Sequence, residues 1–176
     1  MIYTTTYKSP IGNLLIAAKD NKLIGLWIEN QKYYLLGFKE EMSEREDVEV
    51  LTKTKKWLDR YFNREKPDIN ELDINLIGSE FRKSVWKFLK TIPYGKVVTY
   101  NDIAKKIAEQ KGISKMSAQA IGGAVGHNPI SIIIPCHRVV GTNGSLTGYA
   151  GGIEKKIQLL ELEEIDTSKY FVPKAK

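Results

Sequence analysis

Over residues 1–36 apolar and polar positions trade places in short spans, a rhythm of β-structure rather than helix. Ile2 to Tyr7 is rich in Thr and Tyr, and Ser9-Pro10-Ile11-Gly12-Asn13 is a cluster of turn formers. Leu14 to Ala18 is apolar, Asp20-Asn21 turns the chain, and Leu23 to Ile28 continues as a strand. The pattern predicts a small antiparallel meander. Across 46–62 the period lengthens: Val50, Leu51, Trp57, Leu58, Tyr61 and Phe62 fall at near-helical spacing and predict one helix. Pro67 and the Asp68–Asp73 stretch read as a linker. The domain boundary is therefore expected near residues 68–78, giving domains 1–75 and 76–176.

The second half reads as mostly helical, so the fold class is α+β. Ser79 can cap a helix running to Lys90, with Phe81, Val85, Trp86, Phe88 and Leu89 as its apolar face. Arg82 holds the capping-box position, so the box is absent. Pro93-Tyr94-Gly95 ends this helix. Thr99 can cap the next, Tyr100 to Ala108, and Gly112 breaks it. Ser114 or Ser117 can cap a third that runs to about Gly126. Two short helices joined by a Gly-containing turn match a helix-turn-helix. The small residues Ala118, Ala120, Gly122, Gly123, Ala124 and Gly126 suit close backbone approach, by another helix or by a ligand. Farther on, Gly141-Thr142-Asn143-Gly144 suits a hairpin turn. Gly148-Tyr149-Ala150-Gly151-Gly152 suits a loop close to a ligand, with Tyr149 as a stacking face. Ile153 to Glu164 predicts a closing amphipathic helix, and the last ten residues or so a frayed tail.

With 176 residues and 42% hydrophobic content, the chain can bury one sizeable core or two small ones. Its single cysteine cannot form an internal disulfide, and with only two histidines a zinc site is not expected. The N-terminus shows no signal-peptide pattern, and no apolar run approaches the roughly 20 residues of a membrane span. These features predict a cytoplasmic protein that uses no membrane. Charge is uneven. Residues 1–75 hold 12 basic and 13 acidic side chains, whereas residues 76–176 hold 15 and 8. A neutral half beside a basic half points to a polyanion partner. Lys105, Lys106, Lys111 and Lys115 are candidates for phosphate contact.

The chemistry centres on Cys136 in Ile132-Ile133-Ile134-Pro135-Cys136-His137-Arg138-Val139-Val140. An apolar, strand-like stretch delivers the thiol, a proline stops the strand, and two cationic groups follow. Adjacent cations lower a thiol pKa, so the run reads as a prepared nucleophile. Three roles compete: a buried structural thiol, a hydrolase-type Cys/His pair in which His127 is one available partner, and an alkyl-group acceptor.

The last role gains weight from a resemblance. Residues from Phe81 to about Glu163 are similar to the O6-alkylguanine-DNA alkyltransferase family. The similarity lies in Phe81-Arg82-Lys83-Ser84-Val85-Trp86, Ile92-Pro93-Tyr94-Gly95-Lys96-Val97-Val98-Thr99-Tyr100, Gly122-Gly123-Ala124-Val125-Gly126-His127-Asn128-Pro129, the Pro135-Cys136-His137-Arg138 run and Tyr149-Ala150-Gly151-Gly152. The Ser9-Pro10-Ile11-Gly12 start resembles the family's variable, ribonuclease H-like first domain. The resemblance implies direct DNA repair: a damaged guanine is flipped from the duplex and its O6-alkyl group moves irreversibly to Cys136, once per molecule, with no cofactor and no metal. It also implies roles. Cys136 is the acceptor, activated through a water by His137, which Glu163 orients. Tyr100 contacts the flipped base, and Asn128 holds the turn before the nucleophile. Tyr149, Ala150, Val139, Val125 and Lys156 line or rim the base pocket, with the Ala150 amide toward O6 and the Val139 carbonyl toward the base's amino group. Arg138 is structural, paired with an acid. Ala118, Gln119, Gly122, Lys115 and Thr99 meet DNA, the helix over 117–126 entering the minor groove. The partner is double-stranded DNA bearing O6-alkylguanine, bound by a monomer. One departure stands out: Gln119 occupies the place where the family usually has the arginine that fills the gap left by the flipped base. The rival reading is an alkyltransferase-like protein that binds lesions without transfer; such relatives lack the cysteine.

Overall fold

The computed structural model describes residues 1–35 and 37–173. Its contacts divide the chain into two compact units, residues 1–77 with 129–133, and residues 78–128 with 134–176. In the first unit, β1 (Ile2–Ser9), β2 (Gly12–Lys19) and β3 (Lys22–Ile28) form the expected antiparallel meander. A short fourth strand, β4 (Met42–Glu44), joins the free edge of β1 in parallel, giving the order β3-β2-β1-β4. The sheet is thus mixed rather than purely antiparallel. The segment between β3 and β4 brings Phe38 edge-on to Trp27 and buries Met42 against the Ile2, Ala17, Ile24 and Trp27 cluster. This apolar gain carries the chain across the sheet and delivers β4 to the far edge.

Helix α1 (Glu49–Phe62) covers β1–β3 with Val50, Leu51, Trp57, Leu58 and Tyr61. Full burial of each such side chain contributes about 1.5–3 kcal/mol relative to exposure. The proposed linker is itself ordered. Trp57 Nε1 donates to Asp68 O at 2.9 Å, Ile69–Glu71 form a 3₁₀ turn, and Leu23 N donates to Asp73 O at 2.8 Å.

In the second unit, α2 (Glu80–Leu89) begins at the Ser79 cap, whose hydroxyl accepts from Arg82 N. The two-residue strand β5 (Val98–Thr99) leads into α3 (Tyr100–Lys111), closed by Gly112 at φ +65°. A full capping box starts α3: Asp102 N donates to Thr99 Oγ1, and Thr99 N donates to Asp102 Oδ2. Ser117, not Ser114, caps α4 (Ala118–Gly126). Helices α2, α3 and α4 pack together, and Trp86 Nε1 pins α4 by donating to Ala124 O at 2.8 Å. Strand β6 (Val139–Val140) pairs in parallel with β5, and α5 (Ile153–Leu162) follows. No frayed tail exists as far as Phe171. Thr167–Lys169 form a 3₁₀ turn, and Leu146 N donates to Phe171 O at 2.8 Å. Leu36, inside the expected β-region, and residues 174–176 of the expected tail lie outside the described residues. No described helix is long and apolar enough to cross a membrane.

Candidate active site

The apolar run before Cys136 is not a strand. Ile130 makes one bridge with Leu26, Ser131 N donates to Leu26 O, and then the backbone folds into tight turns: Ile133 N to Ser131 O and Cys136 N to Ile134 O, both 2.8 Å. Ile132 sits at φ +72°, a region costly for a β-branched residue. Pro135 offers no N–H, and the Ile134 carbonyl is taken by a side chain: Asn128 Nδ2 donates to it at 2.7 Å. With these groups already satisfied, no ladder can form. Cys136, His137 and Arg138 occupy a 3₁₀ turn that feeds β6.

The turn is buried, with Cys136 5% and His137 0% exposed. His137 Nε2 lies 2.6 Å from Glu163 Oε2. Arg138 grips the same carboxylate through Nε at 2.8 Å and Nη2 at 3.1 Å, while Nη1 donates to Ile92 O at 2.7 Å. Gly95 N supplies a further donor to Glu163 Oε1 at 3.0 Å. The α5 end that presents Glu163 is held by Tyr94, whose hydroxyl donates to Leu162 O at 3.2 Å. Burial alone would raise the Glu163 pKa; the His137 and Arg138 hydrogen bonds and the Arg138 charge outweigh it and hold the carboxyl well below the carboxylate range. Burial also pushes the His137 pKa down, so its imidazole is neutral. With Nε2–H donating to Glu163, the lone pair belongs to Nδ1, the arrangement of a general base oriented by an acid.

The sequence predicted a thiol acidified by the cations next to it. Instead, burial raises the Cys136 pKa. Hydrogen bonding from Asn128 and from the Cys136 and His137 amides, together with the Lys156 charge, acts in the other direction. His137 contributes no cation, and the Arg138 charge is spent on Glu163.

Tyr100 opens α3 and donates its hydroxyl to Thr147 O at 3.1 Å. Burial, then the nearby Cys136 charge, raises its pKa to about 12. Tyr149 packs edge-on to His137 at 6.4 Å, and its buried hydroxyl has no hydrogen-bond partner among the described residues. Ala150 follows in the same loop, between Gly148 at φ +76° and Gly152 at φ +96°. A Cβ on Gly148 would meet Tyr100 Oη at 3.0 Å, so glycine is required there for space as well as for conformation. Lys156 departs from the rim position expected of it. It is 0% exposed and donates to Val139 O at 2.6 Å and Thr147 O at 3.0 Å. In this state the Val139 carbonyl therefore already serves Lys156. Val125 is buried near the end of α4.

Tyr100, residues 136–139, Tyr149, Lys156 and Glu163 form one cluster. Ala118, Gln119 and Lys115 stand apart, exposed at the start of α4 and just before it, with Gly122 half-buried in the same helix. Thr99 spends its side chain on the α3 cap. A Cβ on Gly122 or Gly123 would meet nothing within 4 Å among the described residues, so packing against them does not explain these small residues. His127, the other candidate base, directs Nδ1 to Gly123 O at 2.7 Å. Sequence reasoning missed the Ile92 and Thr147 carbonyls and the Gly95 amide. Backbone groups carry no side-chain signature; only the Pro93-Tyr94-Gly95 break marked the place.

Comparison with known proteins gives the same assignment over both units. Residues 2–76 match the family model described as 6-O-methylguanine DNA methyltransferase, ribonuclease-like domain, and residues 80–165 match its DNA binding domain. The methylated-DNA–protein-cysteine methyltransferase of Haemophilus influenzae is 37% identical over 93% of this chain and 87% of its own length. That of Mycobacterium tuberculosis is 40% identical over 93% of each. The crystal structure of Mycobacterium tuberculosis OGT in complex with DNA superposes with a TM-score of 0.77 at 38% identity, covering 96% of this chain and 94% of that one. With a buried cysteine beside a glutamate-held histidine and both domain models matched in order, the chain belongs to the 6-O-methylguanine DNA methyltransferase family.

Proposed function

We propose that this protein repairs DNA directly, by moving an alkyl group from O6 of alkylated guanine to its own Cys136. The observation that carries this reading is the buried His137–Glu163 pair beside the only cysteine. The sulfur attacks the alkyl carbon, the S–C bond forms as the C–O6 bond breaks, and the thiol proton passes by way of His137 Nδ1 to the departing guanine. The thioether product offers no easy leaving group, so each molecule acts once and needs no cofactor. Because the alkyl carbon lies within the base stack, the guanine must be flipped out.

Residues 76–176 serve as the DNA-binding and acceptor domain, and residues 1–75 form a separate sheet-and-helix domain. Tyr100, Tyr149, Ala150, Val125 and Val139 receive the base. α4 meets the minor groove, where the open flank at Gly122 and Gly123 lets backbone approach backbone. Ala118 and Gln119 lie at that contact, with Lys115 and the Thr99 end of α3 on the phosphates. The protein works as a cytoplasmic monomer on double-stranded DNA.

Intact-mass measurement after incubation with O6-methylguanine duplex tests this reading. A permanent gain of one methylene on Cys136 is expected, whereas tight binding without a mass change would replace transfer by lesion recognition alone. Gln119 tunes the first step. It can hydrogen-bond the orphaned cytosine but lacks a guanidinium plane and charge. Gln119→Arg is expected to raise the transfer rate on duplex DNA by about tenfold, the equivalent of one charge-assisted hydrogen bond, with little change on free O6-benzylguanine. Equal rates on duplex for the two proteins would remove Gln119 from the flipping step.

A further inference from the structure

Three basic groups lie within or against the buried turn, and their states differ. Arg138 is bound on one face to both oxygens of Glu163 and on another to Ile92 O. Its charge is cancelled where it stands. His137 is neutral, held so by burial. Lys156 is different. It is fully buried, its ammonium is bound by two neutral carbonyls, and among the described residues no carboxylate pairs with it. With Glu163 ionised, the cluster therefore carries one uncompensated positive charge in a water-poor site, a costly condition unless a negative partner is near. The group that can supply it is the thiol, whose charge interacts with Lys156 in both directions, favouring thiolate and ammonium together.

We propose that Lys156 is the counter-cation of the Cys136 thiolate, a positioning residue that makes this buried sulfur a nucleophile near neutral pH. The two carbonyls matter as much as the charge. Val139 O lies three residues past the sulfur and Thr147 O lies at the base of the glycine-rich loop, so the ammonium is fixed between the nucleophile's turn and the pocket's wall. The same Thr147 carbonyl accepts from Tyr100 Oη. The titratable groups tied to Lys156 are Cys136 and His137 of the turn, with which its charge interacts, and Tyr100 of α3, which shares the Thr147 carbonyl with it. Burial lowers the Lys156 pKa to about 8, and the Cys136 charge opposes that fall, just as the Lys156 charge opposes the rise that burial imposes on Cys136. The two sites titrate as a coupled pair.

This inference rests on Cys136 being the alkyl acceptor, and its test is separable from that reading. Thiolate absorbance and iodoacetamide labelling of the intact protein are followed against pH, without DNA. Lys156→Met keeps the stem and removes the charge; its thiolate titration is expected to rise by about one to two pH units, with transfer at neutral pH slower by about 10- to 100-fold. Lys156→Arg is expected to restore most of the titration shift. A second measurement does not depend on the folding of a lysine variant. In the near-isosteric Cys136→Ser protein, which cannot form the pair, the Lys156 side-chain ¹³Cε titration is expected to move to lower pH than in the wild type. An unchanged thiolate titration in a folded Lys156→Met, or an unchanged Lys156 midpoint in Cys136→Ser, overturns the proposal. Absence of methyl transfer in the wild type would instead overturn the proposed function and leave the pair standing.

Discussion

Glu163→Gln is expected to cost about 3–5 kcal/mol of folding stability, the range for removing one partner of a buried ion pair, and to abolish useful transfer. One carboxylate serves three donors: His137 Nε2, the Arg138 guanidinium and Gly95 N. The amide cannot accept from all of them, carries no charge for Arg138, and turns an N–H₂ toward a donor. Domains of this size are stable by only about 5–15 kcal/mol, so the loss is a large fraction of the whole. Urea unfolding of the two proteins measures it. The double variant Glu163→Gln with Arg138→Met separates the roles, because it removes the stranded guanidinium. Stability is expected to return in large part, but not transfer, since His137 has still lost the group that fixes its tautomer. If the double variant regains transfer, Glu163 serves folding alone.

The same carboxylate sets an acid limit. Its folded pKa is depressed, so its contribution is complete above the unfolded value, about 4.3, and is lost as pH falls through that value toward the folded one. His137 acts earlier. Its folded pKa is also lowered, so the unfolded chain binds the proton more readily, and stability begins to fall as pH drops below about 6.5. Wild-type stability is expected to decline in two stages on acidification. Glu163→Gln should keep the first and lose the second.

Much of this was legible in the chain because local signals and tertiary packing agree. The turn formers at 9–13 and 20–21 bracket β1–β3, Ser79 and Thr99 cap their helices through side-chain oxygens, and Gly112 ends α3 at positive φ. The motif around Cys136 pointed to the acceptor proposed here. It misled on conformation and on acidity, for one reason each. Three isoleucines in a row match a buried strand by composition, yet strand formation needs a backbone partner, and here the donors and acceptors go to Leu26, to near neighbours and to Asn128. Adjacent cations promise a low thiol pKa only if they keep their charge for the sulfur, and sequence cannot show that a residue 25 positions from Arg138 takes it first. Lys156 was visible only as one lysine of an amphipathic helix; its complete burial is a tertiary fact. The parallel fourth strand likewise depends on Phe38 and Met42 finding the Trp27 cluster.

Asn128→Ala tests the turn itself and is expected to damage folding and reactivity together. Asn128 lies just past α4, with its own N–H donating to Val125 O at 3.2 Å, and its side chain reaches six residues ahead to Ile134 O. Truncation removes one of the two donors to that carbonyl and leaves it only the Cys136 amide, a loss of about 0.5–1.5 kcal/mol, and it releases a turn that follows Ile132 at φ +72°. The side chain also hydrogen-bonds the sulfur and opposes the rise that burial imposes on its pKa. The variant should therefore show a lower urea midpoint and a thiolate titration displaced upward, with transfer at neutral pH reduced by about 10- to 100-fold as that titration rises one to two units. Asn128→Asp separates the two effects. It keeps the shape but offers no donor and adds a like charge beside the thiolate, so its thiol should titrate higher still than in the alanine variant. If both variants lose stability yet keep the wild-type thiol titration, Asn128 shapes the turn without touching the nucleophile, and the activation of Cys136 falls to Lys156 and the backbone amides.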